Sequence, residues 1–236
     1  MKSKFLDLIV FSMKTICIEF KNEIKHWEIP LFRGAVIAAV GDNDEILFHN
    51  HKGDGFRYAY PLIQYKRIHG KAALVALGEG TETLGIFFSK DKLPMSIGNH
   101  SIDLEAENVR ANQIRVQLWK TVFTYSLRKW LPLNKENLEV FTKTEGVMAR
   151  CALLERTLKG NMLSFLKGCG IHIKDELHCT ITQLSEPFNV RYKGVNMKGF
   201  DVTFRTNLSI PDYIGLGKGV SVGNGIVTRM RDKQLN

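Results

Sequence analysis

The chain has 236 residues, 44% of them hydrophobic, so it is long enough for one large or two small globular domains and is not a disordered chain. Its formal net charge of +9 at pH 7 favours an acidic partner, most commonly nucleic acid, although scattered surface lysines are the alternative. No segment approaches the roughly 18 apolar residues of a membrane span, and Asp7 interrupts the short apolar run at residues 5–13. We therefore expect a cytoplasmic protein with no membrane role.

The four cysteines are far apart and form no C-x-x-C pair, at Cys17, Cys151, Cys169 and Cys179. This spacing argues against a structural zinc site and against a disulfide framework in a chain of this length. We expect reduced thiols in a cytosolic protein.

The first half of the chain alternates predicted strands and helices. Period-two alternation or enrichment in aromatic and β-branched residues predicts four strands, at 14–20, 56–66, 71–77 and 93–105. Helices are predicted to open at Arg33 and to span 78–90, and Pro61 favours an edge position or a bulge for the second strand. The order β, α, β, β, α, β is that of a ferredoxin-like split βαβ unit.

The second half repeats this theme with longer pieces. Strands are predicted at 113–127, 171–184, 188–194 and 199–210. Apolar residues at helical spacing predict one long helix over 144–170, which ends at Gly168 and Gly170. Two similar halves that meet near residue 108 predict a cleft lined by both.

The segment GLGKGVSVGNG, residues 215–225, has two interpretations. Glycine-rich turns expose successive amide N–H groups to an anion, and Lys218 would add a positive charge for a phosphate. The segment does not match G-x-x-x-x-G-K-[ST], however, and glycines also occur in ordinary β-turns and bulges. Local sequence favours neither interpretation.

His49 and His51 stand one residue apart in LFHNHKGDGFRY. A metal site there would need a third ligand, for which Asp42, Asp44 or Asp54 is available. Acid–base catalysis is a second interpretation, and two polar turn residues are the third and, locally, the favoured one.

Six motifs follow one another along nearly the whole chain: RG at 33–34, LFHNH at 47–51, FRYAYPLIQYK at 56–66, EG at 79–80, KGNMLSFLKGCG at 159–170 and PDYIGLGKGVSVGNG at 211–225. In this order they resemble the CRISPR-associated endoribonucleases of the RAMP superfamily, which cut precursor CRISPR RNA within its repeats. The last motif is similar to that family's C-terminal glycine-rich loop.

The resemblance implies an α+β fold of two tandem ferredoxin-like domains, at residues 1–108 and 109–236. It implies a metal-independent endoribonuclease without a cofactor, whose partner is CRISPR repeat RNA. A CRISPR effector complex and a homodimer are left open as further partners. The family's catalytic centre follows the first helix and includes one or two histidines, so His49 and His51 are the predicted catalytic pair. The alternative is a non-catalytic RNA-binding subunit of a CRISPR ribonucleoprotein.

Metal-free RNA cleavage needs a base on the attacking 2′-oxygen, an acid on the departing 5′-oxygen and positive charge near the phosphate. The unperturbed imidazole pKa of about 6.5 suits both proton transfers. Lys52 and Arg57 are the nearest cations, and Tyr58 is placed to orient a base or the 2′-hydroxyl. Residues i and i+2 of a regular strand share one face, so we expect an irregular loop around the two histidines.

Further RNA contacts are predicted from glycine and charge. The glycine-rich segment and the arginine after it are predicted to contact RNA or to support the cleft: Gly215, Gly217, Lys218, Gly219, Gly223, Gly225 and Arg229. Additional positive charge comes from Arg110, Arg115, Lys120, Arg128 and Lys129. Most tyrosines of FRYAYPLIQYK are expected in the core, the alternative being stacking on unpaired bases beside Arg57 and Lys66.

Overall fold

The computed structural model describes residues 12–40, 48, 51–52, 55–56, 60–88, 94–97 and 100–231. The first half of the chain contains these elements, with a 3₁₀ turn at His26–Glu28: β1 (Ser12–Glu23), α1 (Ile29–Val40), β2 (His51–Lys52), β3 (Gly55–Phe56), β4 (Ile63–Ile68), β5 (Lys71–Leu77), α2 (Gly80–Phe88), β6 (Pro94–Ile97), β7 (His100–Asp103) and β8 (Ala106–Arg115).

The N-terminal sheet has the strand order β4-β5-β1-β8, and every neighbouring pair is antiparallel. This is the order of a ferredoxin-like domain, as the sequence predicts. Strand β5 reads KAALVAL and is buried along nearly its whole length because both faces of the sheet are covered. Leu74 packs with α1 and α2 on one face, whereas Val75 packs with the C-terminal domain on the other.

The predicted fourth strand at 93–105 is wrong. The described part of that stretch forms the separate hairpin β6–β7, and the sheet is completed by β8, which pairs with β1 from Ser12↔Arg115 to Phe20↔Ala106. Strand β8 is an edge strand with mostly exposed side chains, so it lacks the apolar alternation that marks a half-buried strand. It runs through residue 108, and the N-terminal sheet therefore extends to Arg115.

The second half contains β9 (Leu118–Trp130), α3 (Lys135–Lys143), α4 (Val147–Gly168), β10 (Cys179–Leu184), β11 (Phe188–Tyr192), β12 (Val195–Leu208) and β13 (Ile226–Met230). The sheet order is β10-β12-β9-β13, with β11 paired to β12. This is again the ferredoxin-like order, except that residues 209–225 stand where a second helix would connect the last two strands. The α+β class with two tandem ferredoxin-like domains is confirmed.

Three elements of this half differ from the prediction. The single strand predicted over 113–127 is split at Val116–Gln117 between two sheets, and Ser209 Oγ bonds both sides of the break, accepting from Gln117 N (3.2 Å) and donating to Arg115 O (2.7 Å). Helix α3 was not predicted because KENLEVFTK is mostly polar, although Asn134 caps it by accepting from Asn137 N at 2.7 Å. The strand predicted to start at residue 171 begins only at Cys179.

The C-terminal core lies between α4 and the sheet. Leu154, Leu158 and Phe165 of α4 are fully buried in one cluster with Trp130 and Phe204. The Trp130 indole N–H donates to Asn161 Oδ1 at 2.9 Å, which satisfies the polar group of the largest buried side chain. All four cysteines are free thiols.

No helix in the described ranges is both long enough and apolar enough to cross a lipid bilayer.

Candidate nucleic-acid interface

The predicted catalytic segment joins α1 to β4. His49, Arg57 and Tyr58 lie outside the described residues, whereas His51 and Lys52 form β2, which pairs with β3 as His51↔Phe56 and Lys52↔Gly55. This short ladder occurs where the sequence predicts an irregular loop, and two residues, Gly53 and Asp54, separate its strands. The roles of His49, His51, Lys52, Arg57 and Tyr58 stay predictions.

In sequence, this segment is flanked by α1 and β4, and it contains the buried residue Phe48. Phe48, next to His49 in sequence, is 1% exposed and belongs to the N-terminal core cluster. The Arg33 guanidinium on α1 lies 5.9 Å from the ring centroid of Tyr65 on β4. Phe48 is therefore a point at which the chain between α1 and β4 enters the N-terminal core.

The glycine-rich loop of the C-terminal domain, residues 211–225, runs along β4. Tyr65 N donates to Ser221 O and Gly215 N donates to Gln64 Oε1, each at 2.9 Å, and the Tyr60 hydroxyl donates to Gly215 O at 2.8 Å. Tyr65 and Val222 form an isolated parallel bridge. The loop thus covers the exposed edge of the N-terminal sheet and joins the two domains.

Two glycines show why this loop needs them. Gly223 has φ +79°, and a Cβ there would lie 2.7 Å from Ile29 Cδ1 at the start of α1. Gly225 has φ +64°, and a Cβ there would lie 1.9 Å from Leu216 O. Both positions combine a left-handed backbone with close approach of neighbouring atoms, which only glycine accommodates. Packing therefore accounts for these glycines, and their predicted contact with RNA is untested.

The tyrosines nearest β4 lie in the core, as expected. Tyr60 and Tyr65 are buried, and their rings pack edge-to-face against Phe165 and Phe32 respectively. Lys66 is also fully buried, so the alternative in which Lys66 holds an RNA phosphate is wrong. Its ammonium donates to Val220 O in the glycine-rich loop at 2.9 Å.

Lys66 is buried with no carboxylate partner among the described residues, and burial lowers its pKa to about 7 because the charged form loses its hydration. Between that pKa and the ordinary value of 10.5, the unfolded chain binds a proton at Lys66 that the folded chain does not. Stability contributed at this position therefore rises as the pH rises from 7 to 10.5 and is constant below 7.

We expect the free energy of unfolding of the wild type, compared with that of Lys66→Met, to increase from pH 7 to pH 10.5 by up to about 1.4 kcal/mol per pH unit. The bond lost at Val220 O costs the variant a contribution that does not change with pH. Urea unfolding of both proteins across this range measures the difference. Lys174→Met, which removes an exposed lysine, is the control. If the difference in free energy of unfolding between wild type and variant did not change with pH for either variant, the burial argument would be contradicted.

A second buried charge, Glu19, is not predicted by the sequence. The Glu19 carboxylate on β1 is 5% exposed and is hydrogen-bonded to His69 Nδ1 at 2.9 Å and to an Arg110 nitrogen at 2.5 Å. Burial alone would raise the pKa of Glu19, but the two donors outweigh it and hold the pKa below its usual value. Arg110 also lies 5.5 Å from the ring centroid of Tyr213 in the glycine-rich loop. Glu19 looks like one more polar position of an alternating strand, so no local signal marks it.

Four of the predicted surface cations fall into two groups. Arg110 is paired with Glu19, and Arg128 Nη1 lies 3.0 Å from Asp201 Oδ2, so these two arginines already have carboxylate partners. Lys218 and Arg229 are exposed and have no ion-pair partner among the described residues. The Arg229 guanidinium lies 4.3 Å from the ring centroid of Phe123. Within the described residues, Lys218 and Arg229 are therefore available to an anionic ligand.

The metal interpretation has no support in the described residues, where no group of three or more His, Cys, Asp or Glu side chains could hold an ion. Of the ligands proposed for it, His51 lies in β2, whereas His49, Asp42, Asp44 and Asp54 lie outside the described residues.

Comparison with known proteins identifies the chain. The fold of two tandem ferredoxin-like domains is shared with solved structures of CRISPR-associated Cas6 proteins. Residues 11–115 match the family model of the Cas6b N-terminal domain, and residues 117–230 match that of the Cas6b C-terminal domain. The chain belongs to the Cas6b family. The two matches meet where β8 ends at Arg115 and the chain passes into the second sheet.

Solved structures and a curated relative agree with this assignment. A crystal structure of Cas6b matches with a TM-score of 0.84 and 29% identity, over 93% of this chain and 100% of that one. A crystal structure of the CRISPR RNA processing endoribonuclease Cas6b matches with a TM-score of 0.71 and 26% identity over the same shares. An uncharacterized protein of Methanocaldococcus jannaschii is 34% identical over 103 residues, which are 44% of this chain and 69% of that protein.

Proposed function

We propose that the chain is a metal-independent endoribonuclease that binds CRISPR repeat RNA in precursor transcripts and cleaves it to give mature guide RNAs. The observation that carries the proposal is the match of both domains, in order and over nearly the whole chain, to Cas6b structures, one of which is named as a CRISPR RNA processing endoribonuclease.

In the proposed reaction, the 2′-hydroxyl at the cut site attacks the adjacent phosphorus and the 5′-oxygen leaves. His49 and His51 divide the base and acid roles, each worth about 10²–10⁴-fold in rate. Lys52 and Arg57 offset the charge that develops on the phosphorane, and Tyr58 orients the base or the 2′-hydroxyl. The products are a 2′,3′-cyclic phosphate or 3′-phosphate and a 5′-hydroxyl.

The RNA is held by surfaces of both domains in this proposal. Lys218 and Arg229 contribute positive charge from the C-terminal domain, and the buried glycines of residues 211–225 support the cleft by fastening that domain to β4. Phosphate contacts of this kind release counterions, so the affinity should fall steeply with salt. Cut guide RNA then passes to a CRISPR effector complex in the cytoplasm. The molar mass measured by light scattering would show whether the purified enzyme is a monomer or a homodimer.

The test is incubation of end-labelled repeat RNA, from the CRISPR array of the source organism, with the purified protein. A shuffled RNA of the same composition is the control. We expect cutting at one position of the repeat and none at a defined position of the shuffled RNA. Binding of the repeat without cutting would instead identify a non-catalytic RNA-binding subunit.

A further inference from the structure

A cleft lies in the C-terminal domain beside Gly217 and Lys218 of the glycine-rich loop. It has a volume of about 410 Å³ and is lined by α3, α4, the connection after β9 and the loop residues Gly217 and Lys218. This volume falls in the range of about 300–1,000 Å³ that small-molecule sites occupy. The lining residues, all of them described, include two cations and three asparagines but no aspartate or glutamate.

The loop wall of this cleft is fixed in place. Lys218 N donates to Leu131 O at 3.1 Å, which ties the loop to the end of β9. Gly217 has φ +92°, and a Cβ there would lie 2.8 Å from the Trp130 indole, so the backbone rests directly on that ring. The indole N–H in turn donates to Asn161 Oδ1. Lys218 is therefore presented at the cleft by a backbone that has little freedom to move.

Several polar groups in the lining are not used by the fold. Arg156 on α4 and Lys218 have neither an ion pair nor a side-chain hydrogen bond within the described residues. Within the described residues, the Asn161 side chain uses only its oxygen, which accepts from Trp130, and the Asn137 side chain makes no hydrogen bond. Two cations, the Asn137 amide and the amide nitrogen of Asn161 thus have no partner among the described residues and can bind a ligand.

These groups match one chemical class. Guanidinium and ammonium groups bind phosphate, and an asparagine amide presents a donor and an acceptor side by side, as the edge of a nucleobase requires. A base inside a duplex does not expose its pairing edge to such a site, whereas an unpaired base does.

We infer that this cleft binds one unpaired nucleotide of the repeat RNA, with its phosphate on Arg156 and Lys218 and its base edge on Asn137 and Asn161. The inference rests on the proposed function and adds to it a nucleotide-reading site on the C-terminal domain, outside the predicted catalytic segment.

The first test measures RNA affinity with a repeat RNA that carries a single 2′-deoxy nucleotide at the cut, so that binding is followed without cleavage. We expect Arg156→Gln to weaken binding about tenfold and to lower the slope of log affinity against log salt by about 0.7 to 1. Lys167→Gln removes one exposed charge from the same helix but outside the cleft, and it should weaken binding less than twofold. Equal losses in the two variants would show that only net charge matters and would overturn the inference.

The second test asks whether the cleft reads a base. Single abasic substitutions are made through the repeat, and we expect one position at which loss of the base weakens wild-type binding about tenfold. Asn137→Ala should reduce that sensitivity, because the Asn137 amide and the base are partners in one contact, whereas Asn161 keeps its own. The variant is not expected to unfold, since no hydrogen bond of the Asn137 side chain occurs in the described structure, and thermal melting checks this.

The inference would be overturned if, at every position, the loss of binding free energy caused by the abasic substitution and the loss caused by Asn137→Ala were additive. The endoribonuclease proposal would then remain intact. Cutting of the unmodified repeat by Arg156→Gln at saturating protein, at the same position as the wild type, would show that the site is separate from the chemistry. A wild type that does not bind the repeat at all would overturn both proposals.

Discussion

Gly225→Ala is expected to lower the free energy of unfolding by about 3 kcal/mol or more. The backbone at this position has φ +64°, which costs a non-glycine residue about 1–2 kcal/mol. In addition, the new Cβ would lie 1.9 Å from Leu216 O, a distance no real contact allows, and displacing packed atoms costs about 1–3 kcal/mol. Relief would break the bonds from Leu216 N to Gly225 O and from Gly225 N to Lys129 O, which hold the loop to itself and to β9.

Gly170→Ala is the matched control for this prediction. Gly170 has a similar φ of +69°, but apart from its chain neighbours no atom of the described residues lies within 4 Å of a Cβ built there. It therefore carries only the conformational cost, about 1–2 kcal/mol. Urea unfolding followed by circular dichroism compares the two variants. Equal destabilisation by both would mean that the close packing at Gly225 does not contribute to stability.

His49→Ala and His51→Ala are each expected to reduce the rate of repeat cleavage by about 10²–10⁴-fold while leaving the affinity for uncut RNA nearly unchanged. The reason is that each imidazole is assigned one of the two proton transfers of a metal-free cleavage, and neither is assigned a binding contact. Single-turnover kinetics at saturating protein separates the chemical step from binding.

His172→Ala is the control for the histidine variants, because His172 is an exposed histidine of the second domain with no predicted role. It should cut at the wild-type rate. Full activity in both His49→Ala and His51→Ala would show that the pair consists of ordinary polar residues. A wild type that loses its activity in chelator would instead support the metal interpretation, with an aspartate as the third ligand.

The fold was predictable where burial is strong and local. Strand β5 is predicted to the residue because both of its faces are covered, so its apolar run has no ambiguity. Strand β8 was misplaced and α3 was missed for the opposite reason, since their side chains are mostly exposed and carry little hydrophobic periodicity. Pairing with β1 decides where β8 lies, and that contact joins residues about 90 positions apart.

The glycine-rich loop shows a second limit of sequence reasoning. The spacing of its glycines fits a phosphate-binding turn and a packed turn equally well, because the atoms that decide between them belong to distant residues. Gln64 and Tyr65 on β4, and Ile29 at the start of α1, are more than 140 positions away and meet the loop only in the folded chain. The same holds for Lys66, whose sequence context suggests a surface cation and whose partner is Val220 O.

The predicted functional residues divide in the same way. Lys218 and Arg229 are found exposed and without ion-pair partners in the described structure, whereas Arg110 and Arg128 are committed to Glu19 and Asp201. The charge of a residue alone could not distinguish the paired arginines from the unpaired cations, because the carboxylate partners of both arginines lie on other strands.

The measurement that tests the central claim most directly is cleavage of two repeat RNAs by the wild-type protein in excess EDTA. The RNAs differ only in the 2′-hydroxyl at the cut position, which one of them lacks. We expect site-specific cutting of the all-ribose RNA, with a 2′,3′-cyclic phosphate or 3′-phosphate and a 5′-hydroxyl as product ends, and no cutting at that position of the 2′-deoxy RNA. Cutting of both RNAs, or of neither until a divalent metal is added, would contradict a metal-independent mechanism driven by the 2′-hydroxyl.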